Sequence, residues 1–168
     1  MLKKILVPKD RIPIIIGRQG SVKRYIEKRT HTKITVEDDI QIEGEAVDVL
    51  TAENIITAIG RGFSPDSAMG LLEEENTLVI MELPRDEKSL KRIRSRLIGT
   101  NGKTRRNIEE YTKTHISVYG KTAAIIGPYE CVEFAKEALE KLIKGFTHKT
   151  VYKFLEGQKR RMTLQTIE

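Results

Sequence analysis

The sequence predicts an α+β protein made of two copies of one unit, each in the order strand, helix, helix, strand, strand, helix. Two glycine segments, Gly17-Arg18-Gln19-Gly20 and Gly99-Thr100-Asn101-Gly102, lie 82 positions apart in similar surroundings. An apolar helical stripe also repeats 83 positions later: Ala52, Ile55, Ile56, Ile59 and Phe63 match Ala135, Ala138, Leu139, Leu142 and Phe146. A fixed period of this kind indicates a duplicated fold. We expect each copy to form a three-stranded sheet with helices packed on one face.

The elements of the first copy follow from apolar spacing. Residues recurring at i, i+3, i+4 and i+7 predict helices, and strict alternation predicts strands. Asp10 is predicted to cap the first helix, because a side-chain oxygen at that position accepts a bond from a free helical N–H. The predicted elements are strand 2–7, helix 11–16, helix 21–30, strands 33–37 and 40–43, and helix 47–63.

The second copy repeats this order and divides the chain. Its predicted elements are strand 78–83, helix 89–98, a helix after the second glycine segment, strands 115–119 and 122–126, and a last helix ending near Phe146. Ser64-Pro65 is typical of a helix start. We therefore expect a first repeat at 1–63, a helical linker at 64–76, a second repeat at 77–146 and a basic helical tail at 147–168. The tail has two possible uses: packing Val151, Tyr152 and Leu155 on the body, or presenting Lys159-Arg160-Arg161 to a ligand.

Charge is distributed unevenly along the chain. Residues 1–84 contain 11 Lys and Arg against 14 Asp and Glu, whereas residues 85–168 contain 19 against 10, for a net charge of +6 overall. The second half therefore supplies most of the attraction for a polyanion. Cys131 is the single cysteine, which suits a reducing compartment. We expect no signal peptide, membrane span or membrane partner, and a cytoplasmic location.

The glycine segments predict phosphate-binding loops. Glycine permits positive φ and lets bare backbone approach a ligand, and a helix beginning after the second glycine directs free N–H groups and a positive dipole end at a phosphate. Basic residues in such a first turn oppose the dipole, so an anionic ligand explains them. The residues predicted to bind a nucleic-acid backbone are Gly17, Arg18, Gln19, Gly20, Ser21, Lys23, Arg24, Arg96, Gly99, Thr100, Asn101, Gly102, Lys103, Arg105 and Arg106.

The same residues are compatible with other kinds of site. Each loop alone is also compatible with a structural corner between two helices. Gly99–Thr104 ends like a P-loop, but the first glycine of that motif is replaced by Leu97, and a basic helix rather than a buried strand is predicted before it. His31, His115 and His148 are isolated from further metal ligands. We therefore expect no catalytic residue, metal or cofactor.

The element order together with Ile16-Gly17-x-x-Gly20 and Ile98-Gly99-x-x-Gly102 resembles the KH domain, with one strand before the loop and two after it as in type I. One departure is that KH domains usually carry an aliphatic residue three positions after the second glycine, where this chain has Lys23 and Arg105. In this feature the chain resembles the Krr/Pno-type ribosomal small-subunit assembly factors and their archaeal homologues. The chain also resembles that archaeal group in four other stretches: Gly62-Phe63-Ser64-Pro65, Val118-Tyr119-Gly120, Ile126-Gly127-Pro128 and residues 150–156.

The resemblance implies a function in ribosome maturation. A KH loop clamps the backbone of about four nucleotides of single-stranded nucleic acid, and the family implies the 3′ region of small-subunit (16S) rRNA as the target. It also implies two protein partners, the Nob endonuclease and the alpha subunit of archaeal initiation factor two. We expect the second repeat to be the stronger RNA binder, because the acidic residues at 37–39 after the first loop would repel phosphate. Two alternatives remain: a protein-docking scaffold that has lost RNA binding, and a P-loop nucleotide enzyme.

Overall fold

The computed structural model describes residues 1–167, which divide into two compact units, Met1–Leu78 and a second that begins at Val79. The elements of the first unit are β1 (Leu2–Ile5), α1 (Ile12–Ile16), α2 (Ser21–Thr30), β2 (Lys33–Val36), β3 (Ile40–Glu43), α3 (Ala46–Gly60) and α4 (Pro65–Ala68). Next come β4 (Asn76–Glu82), α5 (Glu87–Ile98), α6 (Lys103–Thr112), β5 (His115–Tyr119), β6 (Thr122–Pro128), α7 (Tyr129–Ile143) and α8 (His148–Ile167).

The first sheet is antiparallel with the strand order β1-β3-β2. Ile34 pairs with Ile42, and both side chains are buried against the helices together with Ile40. The flanking Lys33 and Glu43 are exposed, so one face of this sheet forms the core and the other face is polar. This arrangement confirms the predicted α+β unit.

The second sheet repeats the topology as β4-β6-β5. Its hairpin pairs His115 with Ile126 and Tyr119 with Thr122. The core of this unit joins all four of its helices to the sheet, through the buried residues Leu83, Ile93, Leu97, Ile108, Ile116, Ala123, Ile125, Val132, Ala135, Ala138, Leu139, Leu142, Val151 and Leu155. The five predicted stripe positions of α7 and its C-terminal turn include four of these. Phe146 is the exception, since it lies beyond the helix and is 45% exposed.

Some element boundaries differ from the prediction. β1 ends at Ile5 rather than residue 7. A single 3₁₀ turn at Lys9–Arg11 leads directly into α1, so Arg11 rather than Asp10 occupies the N-cap position. Asp86 caps α5 by accepting a 2.9 Å bond from the Ser89 amide, which starts that helix earlier than expected.

The repeat continues past the third helix of each unit. Ser64 Oγ accepts a 3.2 Å bond from the Ser67 amide, and Thr147 Oγ1 accepts a 3.2 Å bond from the Thr150 amide, 83 positions later. The helix that follows is a single turn in the first unit, continued as 3₁₀ at Met69–Leu72, and 20 residues long in the second. The segment predicted as a linker is thus a short counterpart of the start of α8.

Candidate nucleic-acid interface

The two glycine loops have the same backbone conformation. Gly17 has φ 73° and ψ −179°, and Gly99 has φ 74° and ψ 176°. Gly20 and Gly102 both lie in the left-handed region at φ 75°. A φ of about 75° with ψ near 180° is a combination that is essentially limited to glycine. The backbone itself therefore requires glycine at the first position of each loop.

Close packing imposes a second requirement at that first position. A Cβ built on Gly17 would lie 2.8 Å from both Cβ and the amide nitrogen of Val22, and one on Gly99 would lie 2.8 Å from the same atoms of Thr104. Real Cβ atoms do not approach that closely. The first turn of α2 or α6 is thus packed directly on the loop, which holds loop and helix in one fixed arrangement.

The middle of each loop also adopts the left-handed conformation, without glycine. Gln19 has φ 55° and ψ 30°, and Asn101 has φ 55° and ψ 28°. Positive φ is uncommon for residues other than glycine and costs free energy. Both side chains are exposed. Two left-handed residues in succession turn the chain sharply into the following helix.

The helices after the loops begin without side-chain caps. Gly20 and Gly102 occupy the N-cap positions of α2 and α6, and within residues 1–167 no side chain accepts a capping hydrogen bond there. Each helix is 10 residues long. The Ser21 and Lys103 amides already donate to the carbonyls of Arg18 and Thr100, but the positive end of the helix dipole makes such a terminus suited to an anion. This geometry supplies what a phosphate needs at both loops.

Several predicted residues surround these termini with exposed side chains. In the second unit, Lys103 and Arg106 are exposed on the first turns of α6. In the first unit, Arg18 and Ser21 are exposed beside the loop. Arg24 is partly used within the protein, since its Nη1 donates a 2.6 Å bond to the Gln19 carbonyl and so braces the loop.

The departure at Lys23 and Arg105 has a structural explanation. Lys23 Nζ lies 3.1 Å from Glu27 Oε1, and Arg105 Nη1 lies 2.7 Å from Glu109 Oε1, in each case one helical turn away. The side chains of Lys23 and Arg105 are 29% and 33% exposed. A half-buried cation at a position that is aliphatic in other KH domains is thus neutralised by a carboxylate of its own helix.

The same carboxylates reach the neighbouring strand. Glu27 Oε2 accepts a 3.0 Å bond from the Ile34 amide, and Glu109 Oε2 accepts a 2.9 Å bond from the Ile116 amide. These amides belong to β2 and β5, which are edge strands of their sheets. Each repeat therefore contains a chain of contacts from the helix after the loop to the free edge of a strand. The sequence did not indicate the two glutamates as part of the interface.

The structure gives Arg96 a role inside the protein. Its Nε donates a 3.1 Å bond to the Leu142 carbonyl, and its Nη2 donates a 2.5 Å bond to the Phe146 carbonyl. Arg11 makes the corresponding bonds in the first unit, 2.8 Å each, to the carbonyls of Ile59 and Phe63. Both arginines bind carbonyl groups at the end of the third helix, where helical partners are lacking. Arg96 thus joins α5 to the end of α7, a use that its charge alone did not suggest.

A surface cavity of about 620 Å³ lies beside the second loop. It is lined along α5 by residues spaced one helical turn apart and ends at the loop. The lining includes Leu90, Lys91, Arg94, Ile98, Gly99 and Thr100. Leu90 and Lys91 are interface candidates that sequence reasoning missed, although their helical spacing from Arg94 and Ile98 would have placed them on one face.

The C-terminal helix packs its apolar face on the second unit and leaves its basic residues exposed. Val151 and Leu155 are buried, whereas Lys159, Arg160 and Arg161 are exposed. The Tyr111 hydroxyl donates a 3.2 Å bond to Glu156, which fixes α8 on α6. Burial, with the nearby Glu156 charge as a second cause, raises the pKa of Tyr111 above its ordinary value.

Other kinds of site are not seen in the described part of the chain. Among residues 1–167, no group of three or more His, Cys, Asp or Glu could hold a metal ion. None of the described helices is long and apolar enough to cross a membrane. Gly99–Thr104 follows helix α5. It therefore lacks the strand–loop–helix context that a P-loop requires.

The repeated fold and its glycine loops define a tandem KH protein, and comparison with known families agrees. The eukaryotic-type (type I) KH domain, in the form found as the second KH domain of PNO1, matches residues 75–160. The general KH domain matches residues 2–58. The chain belongs to the KH-domain family, on the branch of relatives that includes PNO1 and archaeal Dim2p.

Several relatives resemble the chain over nearly its whole length. KH domain-containing protein MJ0443 of Methanocaldococcus jannaschii is 39% identical, with 93% of this chain and 73% of the relative covered. RNA-binding protein pno1 of Drosophila melanogaster is 26% identical, with 90% and 68% covered.

Among solved structures, Dim2p of Pyrococcus horikoshii is 44% identical with a TM-score of 0.88, covering 93% of this chain and 98% of that one. A chain of the a/eIF2alpha–aDim2p–rRNA complex from the same organism is 42% identical with a TM-score of 0.89, covering 96% and 95%.

Proposed function

We propose that this protein binds single-stranded RNA through both glycine loops and acts in maturation of the small ribosomal subunit, at the 3′ region of 16S rRNA. The observation that carries the proposal is the duplicated loop. In each repeat a glycine-dependent backbone presents an uncapped helix N-terminus to solvent, with exposed side chains around it. Relatives named as pre-rRNA-processing PNO1 and a related complex that contains rRNA support the choice of RNA.

The proposed mechanism is attraction of a phosphate to each helix N-terminus, with cations neutralising the RNA backbone beyond each loop. In the second repeat, the positive end of α6 attracts a phosphate while Lys103 and Arg106 attract the neighbouring phosphates. In the first repeat, Arg18 and Ser21 take the corresponding place. Arg96 is left out of this mechanism, because its guanidinium is bound to the end of α7.

The proposal assigns binding rather than catalysis. The interface offers helix N-termini and cations, which hold an RNA strand without cleaving it. Cleavage in rRNA maturation then belongs to a partner, and we propose the Nob endonuclease in that role. We propose the alpha subunit of archaeal initiation factor two as a second partner, because a chain of the a/eIF2alpha–aDim2p–rRNA complex has the same fold over 96% of this chain.

The test is fluorescence anisotropy with labelled RNA from the 3′ end of 16S rRNA and a scrambled RNA, over a series of salt concentrations. Thr100→Asp/Asn101→Asp adds two negative charges at the second loop. Lys113→Asp changes the charge equally at the opposite end of α6, about 15 Å away for a 10-residue helix. Lys113 has φ 54°, a conformation that Asp tolerates. Arg18→Asp/Gln19→Asp tests the first loop.

We expect the Thr100/Asn101 variant to lose at least tenfold in affinity while Lys113→Asp stays near wild type. A steep fall in affinity with salt would reflect phosphate contacts, and preference for the rRNA end would support the assigned target. If both loop variants remain folded and bind as wild type does, the loops are structural corners and a protein-docking function replaces RNA binding.

A further inference from the structure

The ion pair behind the second loop has unused hydrogen-bonding capacity. A guanidinium carries five N–H groups, and the structure shows Arg105 donating through Nη1 to Glu109 Oε1 at 2.7 Å. The two carboxylate oxygens of Glu109 receive one bond each, from Arg105 and from the Ile116 amide, and each oxygen can accept another. The side chains are 33% and 18% exposed. A donor and an acceptor are therefore presented side by side.

The Arg105–Glu109 pair lies next to the path that an RNA chain bound at the second loop would follow. Arg105 is the third residue of α6, immediately after the loop. Glu109 is one turn further and bonds to Ile116 on β5, the edge strand of its sheet. RNA that is bound by its phosphates at Gly99–Gly102 and extends toward the free edge of β5 brings a base next to the pair.

We propose that Arg105 and Glu109 together select guanine, an inference that rests on the proposed RNA-binding function. The Watson–Crick edge of guanine has the acceptor O6 beside the donors N1–H and N2–H₂. Arg105 donates to O6, and Glu109 accepts from N1–H and N2–H₂. Uracil lacks the amino group, and adenine and cytosine present the donor and acceptor in the opposite order. Guanine thus makes the most charge-assisted hydrogen bonds with this pair.

The first repeat provides an internal comparison. Its pair, Lys23 with Glu27, has the same position and the same bond to an edge-strand amide. Lysine is a compact charge on a flexible stem, whereas arginine has a rigid planar fork. Lys23 therefore neutralises Glu27 without the oriented donors needed to recognise a base. We expect base selection in the second repeat and little in the first.

The experiment measures the affinity of the full chain for five 10-nucleotide RNAs that carry uridine alternating with one test base. The test bases are guanine, inosine, adenine, cytosine and uracil, and the alternation offers the test base to the site in more than one register. Variants are Arg105→Lys, which retains the charge, and Lys23→Arg, its counterpart in the first repeat. Thermal unfolding followed by circular dichroism verifies that each variant is folded. Glu109→Gln, which retains the size of the side chain, is the second variant at the site.

We expect wild type to bind the guanine RNA about tenfold more tightly than the uracil RNA, as one well-formed base contact permits. Inosine, which lacks the N2 amino group, should fall between them. Arg105→Lys and Glu109→Gln should each reduce the guanine preference at least threefold.

Three results would overturn the inference. If Arg105→Lys keeps the full guanine preference, or wild type binds all five RNAs equally, the pair only stabilises the fold while the proposed RNA binding stands. If wild type binds none of the RNAs, the proposed function fails and this inference fails with it.

Discussion

Replacing Gly99 with alanine tests whether the second loop depends on its backbone as the structure indicates. Its φ of 74° and ψ of 176° are unfavourable for any residue with a Cβ, at about 1–3 kcal/mol. The new Cβ would also lie 2.8 Å from the Thr104 Cβ and amide nitrogen. Forcing an extra carbon into a packed site costs a further ~1–3 kcal/mol. Together these effects predict a loss of about 4 kcal/mol in the unfolding free energy of the second unit.

Gly120→Ala is the matched control, because Gly120 also has positive φ, at 55°, but nothing lies within 4 Å of a Cβ built there. Its cost should be the backbone term alone, about 1–2 kcal/mol. A difference of about 2–3 kcal/mol corresponds to roughly 8–24 °C in Tm for a unit of this size.

The assay is thermal unfolding by far-UV circular dichroism, with hydrogen exchange measured by mass spectrometry to assign the loss to the second unit. If Gly99→Ala lowers the Tm no more than Gly120→Ala does, close packing of the first turn of α6 on the loop is not what fixes the loop. The reasoning about both repeats would then be refuted.

Three further predictions concern the helices of the second unit. Arg96→Gln removes two bonds to the end of α7 and should lower the unfolding free energy, measured by urea denaturation, by about 2 kcal/mol without changing the salt dependence of RNA binding. Arg106→Gln, in contrast, should reduce the slope of RNA affinity against salt by about 1 and leave stability unchanged. Hydrogen bonding to the Ser89 side chain and amide lowers the pKa of Asp86 from its ordinary value. Its stabilising effect is thus present above the ordinary pKa and is lost as pH falls through the lowered pKa, so the Tm difference between wild type and Asp86→Ala should vanish under acid conditions. Gly157→Ala meets nothing within 4 Å in α8 and should raise stability by about 0.5–1 kcal/mol; a fall in Tm would contradict this.

The repeated fold could be predicted because its signals are local. Glycines at fixed spacing and the apolar periodicity of α3 and α7 occur within short stretches of sequence. Boundaries were less accurate where neighbouring elements compete. Arg11 rather than Asp10 is the N-cap of α1 because a 3₁₀ turn precedes the helix.

The interface was harder to predict because charge does not reveal a partner. Arg96 looked like a phosphate ligand, yet its acceptors lie 46 and 50 positions away in the chain. The sequence did not single out Glu109, which bonds both to Arg105 and to the Ile116 amide. Such contacts depend on the tertiary fold. Spacing along one helix could have indicated the pairing of Arg105 with Glu109, but not the bond to the strand.

The two loops have nearly the same backbone conformation but different side chains. Backbone angles at corresponding loop positions agree within a few degrees, although the exposed residues are Arg18 and Gln19 in one loop and Thr100 and Asn101 in the other. Differences in ligand affinity between the repeats must therefore come from side chains and local charge rather than from loop shape. The two repeats share one loop backbone and differ in the two inner residues of the loop. Exchanging those two residues between the repeats should therefore transfer the binding preference of one loop to the other without changing the backbone.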